Sequence, residues 1–561
     1  MPNPTIDKKQ QLRAKLIDKG RSAVEAEGTN SALRHRIISS NLRDLVGGIT
    51  KHEWTATQVV TAFIAQAIKA HDLTNCLTEI LFEPALKAAG ELDDYFNQTG
   101  QLRGPLHGVP FTFKDQYEIK GYDNTIGFTH WADQHANQDA ELVALARSLG
   151  GVVIAKTNVP QTMLSFECDN PLWGKTTNPY NESNTAGGSS GGEAAVLRFG
   201  GSALGMGSDI GGSLRSVADV KYACEVFFGQ QATVPAATLP PVKYRTDLDL
   251  SKPLKIGYFK TDRFVRASPA CQRAVLESVE ALKGKGHIIE EISPPDIAEL
   301  LKLFVELSSA DGYKTMLSHL QSDKQEPALF LVTLGPRLPA FVRALSNLLV
   351  RLFINDTTFT RLFGASRPRT VSELWASSAA RLAADSALQN HLWSQTLNLD
   401  VLICPVQAVP AIPHGATKTL TPIAASTLAW NVVECPVGIV PVTHVQPDKD
   451  ALPADWFEKP TAGPVIRPSG ENKVVEVEVE PSPLFERAVY GSGTRLLQPL
   501  DEPVPVYDAE KMKGLPVGVQ IVGKPWEDEK VIYVMEVLDE ALGKREPGFG
   551  PSANEVWRIG T

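Results

Sequence analysis

Thr185 to Arg215 reads TAGGSSGGEAAVLRFGGSALGMGSDIGGSLR, and the rest of the 561-residue chain is organised around it. Ten glycines and five serines fall within these 31 residues. It is not low-complexity linker: alanines, Val196 and Leu197 interrupt it, and Asp209 and Arg215 flank its last serine. Two parts stand out, Gly187-Gly188-Ser189-Ser190-Gly191-Gly192 and Asp209-Ile210-Gly211-Gly212-Ser213. Paired glycines permit positive φ and close backbone approach. A serine after such a run can sit in a turn where several backbone N–H groups converge, which is what an oxyanion needs. Three other readings fit poorly. A phosphate loop ends in Gly-Lys-Ser/Thr, and the stretch holds no lysine. A dinucleotide fingerprint needs a strand running straight into Gly187, and none is visible. The Gly-x-Ser-x-Gly elbow is absent at Ser213, where Leu214 and Arg215 follow; at Ser189 it matches formally but lacks its strand.

Upstream lies Gly108-Val109-Pro110-Phe111-Thr112-Phe113-Lys114-Asp115. Its alternation predicts a strand, with Val109, Phe111 and Phe113 on one face and Thr112 and Lys114 on the other. A serine hydroxyl needs a base to become a nucleophile. No histidine motif lies near Ser213, and a lysine can serve only if burial or a cationic neighbour keeps it neutral.

These three pieces, in this order, resemble the amidase signature family of serine hydrolases. The resemblance runs from about 105 to 215 and again from about 252 to the C-terminus. It implies an α/β fold, a large twisted mixed β-sheet core sandwiched between α-helices. It implies a Ser-Ser-Lys triad in which Ser213 attacks the amide, Ser189 relays the proton and Lys114 is the base. Backbone N–H groups of Ile210, Gly211, Gly212 and Ser213 would hold the oxyanion. Met163 matches a position the family uses near the acyl pocket. No metal or cofactor is implied.

The net charge is −9 and no Lys/Arg-rich run occurs, which excludes a nucleic-acid partner. The six cysteines are scattered without a Cys-x-x-Cys pair, which disfavours zinc and a disulfide framework and fits a reducing compartment. The polar N-terminus, with Lys8, Lys9, Arg13 and Lys15, does not look like a signal peptide. No stretch approaches the length of a transmembrane helix. A cytoplasmic setting is therefore expected.

Along the chain, residues 1–75 are expected to form a helical segment, 76–545 the amidase signature domain and 546–561 a tail. Thr50-Lys51-His52-Glu53 reads as a capping box before a helix to about Ala70, and a second helix spans about Glu83 to Phe96. Asp139 is expected to cap a helix to about Leu149, followed by a strand from Gly151 to Lys156. After Arg215 the text departs from the family: the connection to the strand at Leu254 is shortened and Pro-rich, so 216–250 is atypical. Ser268-Pro269 starts a helix. Strands are expected at His287–Ile289, Leu399–Pro405, Gly438–Val442 and Gly514–Gln520. An insertion, 446–513, carries an exposed edge strand at Val475–Glu480.

The segment 329–354 bears on substrate. Leu338, Phe341, Leu345, Leu348 and Leu352 follow helical spacing, while Arg343, Asn347 and Arg351 take another face. No acid occurs between Pro327 and Asn355. Such a helix either packs on a core or lies in a membrane interface. Arg-Leu-Pro before an aliphatic, arginine-bearing helix resembles the membrane-binding cap of fatty acid amide hydrolases. The resemblance thus points to a fungal-type, fatty acid amide hydrolase-like enzyme of lipid metabolism. Its partners would be a small lipid-like amide, an intracellular membrane touched peripherally through 337–354, and a second copy in a homodimer. A short-chain amidase, an amidotransferase subunit and an inactive scaffold are the alternatives.

Overall fold

The computed structural model describes residues 3–208, 217–230, 242–394, 396–458, 461–470, 472–491 and 505–543. Helices and strands mix throughout, and strands pair both parallel and antiparallel, as an α/β amidase-like fold requires. The chain forms two compact units. One comprises Met1–Asp247 and Leu320–Glu326, the other Leu248–His319 and Pro327–Arg545.

The first unit holds strands β1 (Leu77–Ile80), β2 (Pro110–Lys114), β3 (Val152–Thr157) and β4 (Leu204–Met206) in the order β1-β3-β2-β4. β2 runs parallel to β3 and β4, and β1 is antiparallel to β3. Every residue of β2 and β3 is buried. Strands covered on both faces are normally apolar throughout, yet each of these two carries a lysine. Helices Pro4–Glu27, Ala56–Thr74, Phe82–Thr99 and Gly191–Arg198 pack around the sheet.

Local chemistry moves three expected features. Thr50 closes the helix Leu42–Thr50, so it cannot open the next one. The capping box forms instead at Thr55, whose hydroxyl accepts from the Gln58 N–H while the Gln58 side chain accepts from the Thr55 N–H. It opens the helix Ala56–Thr74. Asp139 does not cap Glu141–Ser148, which starts without a side-chain cap. Its carboxylate accepts from the Lys120 N–H at 2.8 Å and pairs with Arg147 at 3.0 Å. In the atypical region, Val217–Phe227 is a helix that the Pro-rich surroundings concealed. Ala223, Val226 and Phe227 join the core, and Phe227 meets Phe111 of β2 edge-on at 6.3 Å. Buried Asp219 accepts from the Leu42 N–H.

In the second unit, β5 (Lys255–Tyr258), β6 (Ile288–Glu291), β7 (Val401–Pro405), β8 (Val437–His444) and the later β11 (Pro516–Gly523) form a mixed sheet of order β6-β5-β7-β11-β8. Ser268 caps the helix Pro269–Gly284, as read. Within 446–513, β9 (Gly463–Pro468) and β10 (Val474–Val479) form an antiparallel pair. Asp450, fully buried, is gripped by Arg273 through bonds of 2.9 and 2.7 Å, which ties this insertion to the unit's core.

Helices Phe330–Arg337 and Ala340–Phe353 meet at a 109° bend. Pro339 disfavours helical backbone at Leu338, which is extended. No residue of Ala340–Phe353 is buried. Val342, Ser346, Asn347 and Val350 form a half-buried stripe, and the helix packs against Thr357–Ala365 while its apolar opposite face stays exposed. No single helix among the described residues is long and apolar enough to cross a membrane.

Candidate active site

β2 ends at Lys114, which the alternation of the strand sends to the same face as Thr112. Lys114 is fully buried. Its Nζ lies 2.6 Å from Ser189 Oγ and 2.7 Å from Ser208 Oγ. Two of the three proposed triad members are therefore in hydrogen-bond contact, across 75 residues of sequence. Ser213 lies outside the described residues, as do Ile210, Gly211 and Gly212.

The glycines around Ser189 serve close packing. A Cβ at Gly188 would come within 2.8 Å of the backbone at Ser165 and Phe166. A Cβ at Gly192 would come within 2.3 Å of the Asn158 nitrogen. The Gly188–Ser189 peptide bond is cis. Glu167 bridges Gly187 in parallel, so the segment that follows Met163 runs beside the serine turn. Met163 itself is half-buried, and both it and Thr162 have positive φ, 59° and 67°. A β-branched residue there is strained, which is more often seen near functional sites than elsewhere.

The two buried lysines of this sheet differ in what they touch. Lys156 Nζ donates to the Asp123 carbonyl at 2.5 Å and lies 4.0 Å from Asp115. Asp115 in turn accepts from Thr78, Thr125 and the Ile126 N–H. Burial pulls the Lys156 ammonium below its ordinary value, and Asp115, Glu79 and Asp123 oppose that pull. Lys9, from the N-terminal helix, joins the same cluster at 2.5 Å from Glu79 and 2.9 Å from Asp123. Burial lowers its affinity for a proton, but the two carboxylates outweigh it and hold Lys9 above the usual value. Lys156 thus sits among carboxylates. Lys114 faces hydroxyls, the company a proton-transferring amine requires.

Three further residues complete this surrounding, and the sequence did not single them out. Ser208 closes the Gly-Met-Gly-Ser run just before Asp209, so its place in the motif was a signal. Gln116 lies two residues past Lys114, and its Oε1 accepts from Ser208 Oγ at 2.7 Å. Glu193, in the first turn of the helix Gly191–Arg198, is fully buried and accepts from Thr112 and Thr157 at 2.7 and 2.9 Å. Burial raises its carboxyl to about 7, against the pull of the two hydroxyls and of Lys114.

A buried lysine contacting a serine that sits in a glycine-rich turn can accept and return a proton, which suits acyl transfer. Comparison with known proteins agrees. The family model described as Amidase matches residues 58–216 and 214–532, two stretches that meet where the atypical region begins. Fatty acid amide hydrolase 1 of Caenorhabditis elegans is 28% identical, over 94% of this chain and 92% of its own. Amidase 1 of Gibberella moniliformis is 31% identical, over 92% and 95%. Among solved structures, a fatty acid amide hydrolase superimposes with a TM-score of 0.74 at 23% identity, covering 97% of this chain and 91% of that one; this likeness concerns the fold.

Proposed function

The chain belongs to the amidase family and is an amide-hydrolysing enzyme, and from that premise we propose that it cleaves fatty acid amides through a Ser213–Ser189–Lys114 triad. The observation that carries the triad is the 2.6 Å contact between buried Lys114 and Ser189. In this reading Ser213 Oγ bonds to the amide carbonyl carbon while its proton passes through Ser189 to neutral Lys114. The C–N bond then breaks as that proton returns through Ser189 to the departing amine. Water repeats the exchange on the acyl-enzyme and releases the acid. Backbone N–H groups of Ile210 to Ser213 hold the oxyanion, a role worth about 3 kcal/mol per donor. Met163 borders the acyl pocket.

The lipid-like substrate rests on the helix Ala340–Phe353. Phe341, Leu345, Leu348, Leu349, Leu352 and Phe353 are all exposed, beside Arg351 and with Arg337 just upstream. An exposed apolar face of this extent marks an interaction surface. With arginines beside it, it suits the headgroup boundary of a bilayer, held reversibly. Docking there would place the enzyme where long-chain amides partition.

The test is labelling with a fluorophosphonate followed by peptide mass spectrometry. An adduct on Ser213, lost in Ser213→Ala together with amide turnover, is expected. An adduct confined to Ser189, or full turnover in the variant, rejects the triad. A series of amides of rising acyl length should show kcat/KM climbing with length; a flat or falling series rejects the fatty acyl preference.

A further inference from the structure

We infer that Gln116 is a positioning residue that sets the direction of the hydrogen bond between Ser208 and Lys114, and so keeps the lone pair of Lys114 turned toward Ser189. The inference rests on the proposed role of Lys114 as base. A serine hydroxyl has one proton to give. Ser208 gives it to Gln116 Oε1 at 2.7 Å. Toward Lys114 Nζ, also at 2.7 Å, Ser208 can then only accept. A neutral amine has two N–H bonds and one lone pair. With an N–H committed to Ser208, the lone pair is released from that side and can meet the Ser189 hydroxyl at 2.6 Å. In the opposite polarity Ser208 would donate into the lone pair, and Lys114 would face Ser189 as a donor, unable to take its proton.

The surroundings fix this relay in place. Tyr117, next to Gln116, donates its phenol proton to the Gly207 carbonyl at 2.8 Å. The Ser190 hydroxyl donates to the Ser208 carbonyl at 3.3 Å. A Cβ at Gly207 would come within 2.9 Å of Ser190 Oγ, so the end of β4 lies directly on the serine turn. Gln116 thus sits on the same turn as the lysine it serves and reaches it through one hydroxyl. It is half-buried, which leaves the site tolerant of substitution.

The experiment compares Gln116→Met, Ser208→Ala and the double variant on a fatty acyl p-nitroanilide across pH, with melting temperatures alongside. Methionine has nearly the glutamine shape but accepts no strong hydrogen bond. Q116M should lower kcat by about tenfold or more with KM little changed, a smaller loss than the roughly 10²–10⁴ that removing a general base costs. The double variant should recover most of that loss, because no hydroxyl remains to occupy the lone pair. Gln116→Glu, which keeps an acceptor, should stay well above Q116M in kcat. A merely structural role predicts additive losses in the double variant, and that result, or wild-type kcat in Q116M, overturns the inference. If Q116M melts far below the wild type, Gln116→Leu takes its place in the same comparison. Lys114→Ala separates the two layers of argument. An active K114A variant defeats the base itself, whereas an inactive K114A with no recovery in the double variant defeats only the role of Gln116.

Discussion

Replacing Phe341, Leu352 and Phe353 together with serine tests whether the helix Ala340–Phe353 serves the membrane or the fold. These side chains are 73%, 66% and 82% exposed. Complete burial of such a side chain is worth about 1.5–3 kcal/mol. With roughly a quarter of each surface covered in the folded protein, folding draws about 0.5 kcal/mol from each. The triple variant should therefore lose about 1.5 kcal/mol of stability and melt only a few degrees lower. The uncovered three-quarters is what a bilayer can take up. At about 1.5 kcal/mol each, the three together give roughly 4–5 kcal/mol, or about a thousandfold in partitioning. Co-sedimentation with vesicles containing anionic lipid reads the second quantity, and differential scanning fluorimetry the first. Salt should weaken vesicle binding of the wild type, because each surface arginine contributes about 1 kcal/mol. Turnover of a long-chain amide should fall while a short soluble amide is hydrolysed nearly as before. A drop of ten degrees or more with equal loss on both substrates would refute the reasoning, as would unchanged vesicle binding.

Lys9→Met should destabilise the protein by about 3–5 kcal/mol, since it takes the buried ammonium away from the Glu79 and Asp123 carboxylates; chemical denaturation measures this, and adding Glu79→Gln should restore part of it. Glu193 has its carboxyl at about 7 in the fold against 4.5 when exposed. The folded state holds the extra proton, so the stability Glu193 contributes is complete below about pH 4.5 and is lost as pH rises through 7. Glu193→Gln removes this dependence, and urea titrations should find the variant gaining about 3 kcal/mol on the wild type between pH 4.5 and 7. The thiols of Cys76, Cys168, Cys271 and Cys435 are buried and pushed up to about 12 by that burial. Ellman's reagent should leave all four unreacted in native protein and titrate them on unfolding; rapid reaction of any of them would contradict the packing.

The sequence made some of this legible through spacing and some not at all. Lys114 and Ser189 could be paired because each sits in its own short motif, and the fold brings them within 2.6 Å. Ser268 could be read as a cap because capping acts within one turn. Gln116 and Ser208 are 92 residues apart, and nothing local marks a hydroxyl whose proton direction matters. Lys9 was read only as part of a polar N-terminus, since its partners lie 70 and 114 residues away. Thr50 was misread because a capping box and a helix end can share the same residue types. The helix Val217–Phe227 was missed because the region was read only as an atypical, Pro-rich connection, although Ala223, Val226 and Phe227 have the spacing of a buried face. The segment 209–216, which holds the proposed nucleophile, lies outside the described residues, so its reading still comes from the motif.

The lysine that the helix Pro4–Glu27 delivers to Glu79 and Asp123 makes that helix a keystone. Synthesis on the ribosome completes Glu79 and Asp123 long after Lys9 has emerged, so the first helix must wait for its carboxylates before it can seat. A cut just after Lys9 would take its ammonium away from the Glu79 and Asp123 carboxylates. A change at Lys9 would then be felt at carboxylates 70 and 114 residues further along the chain.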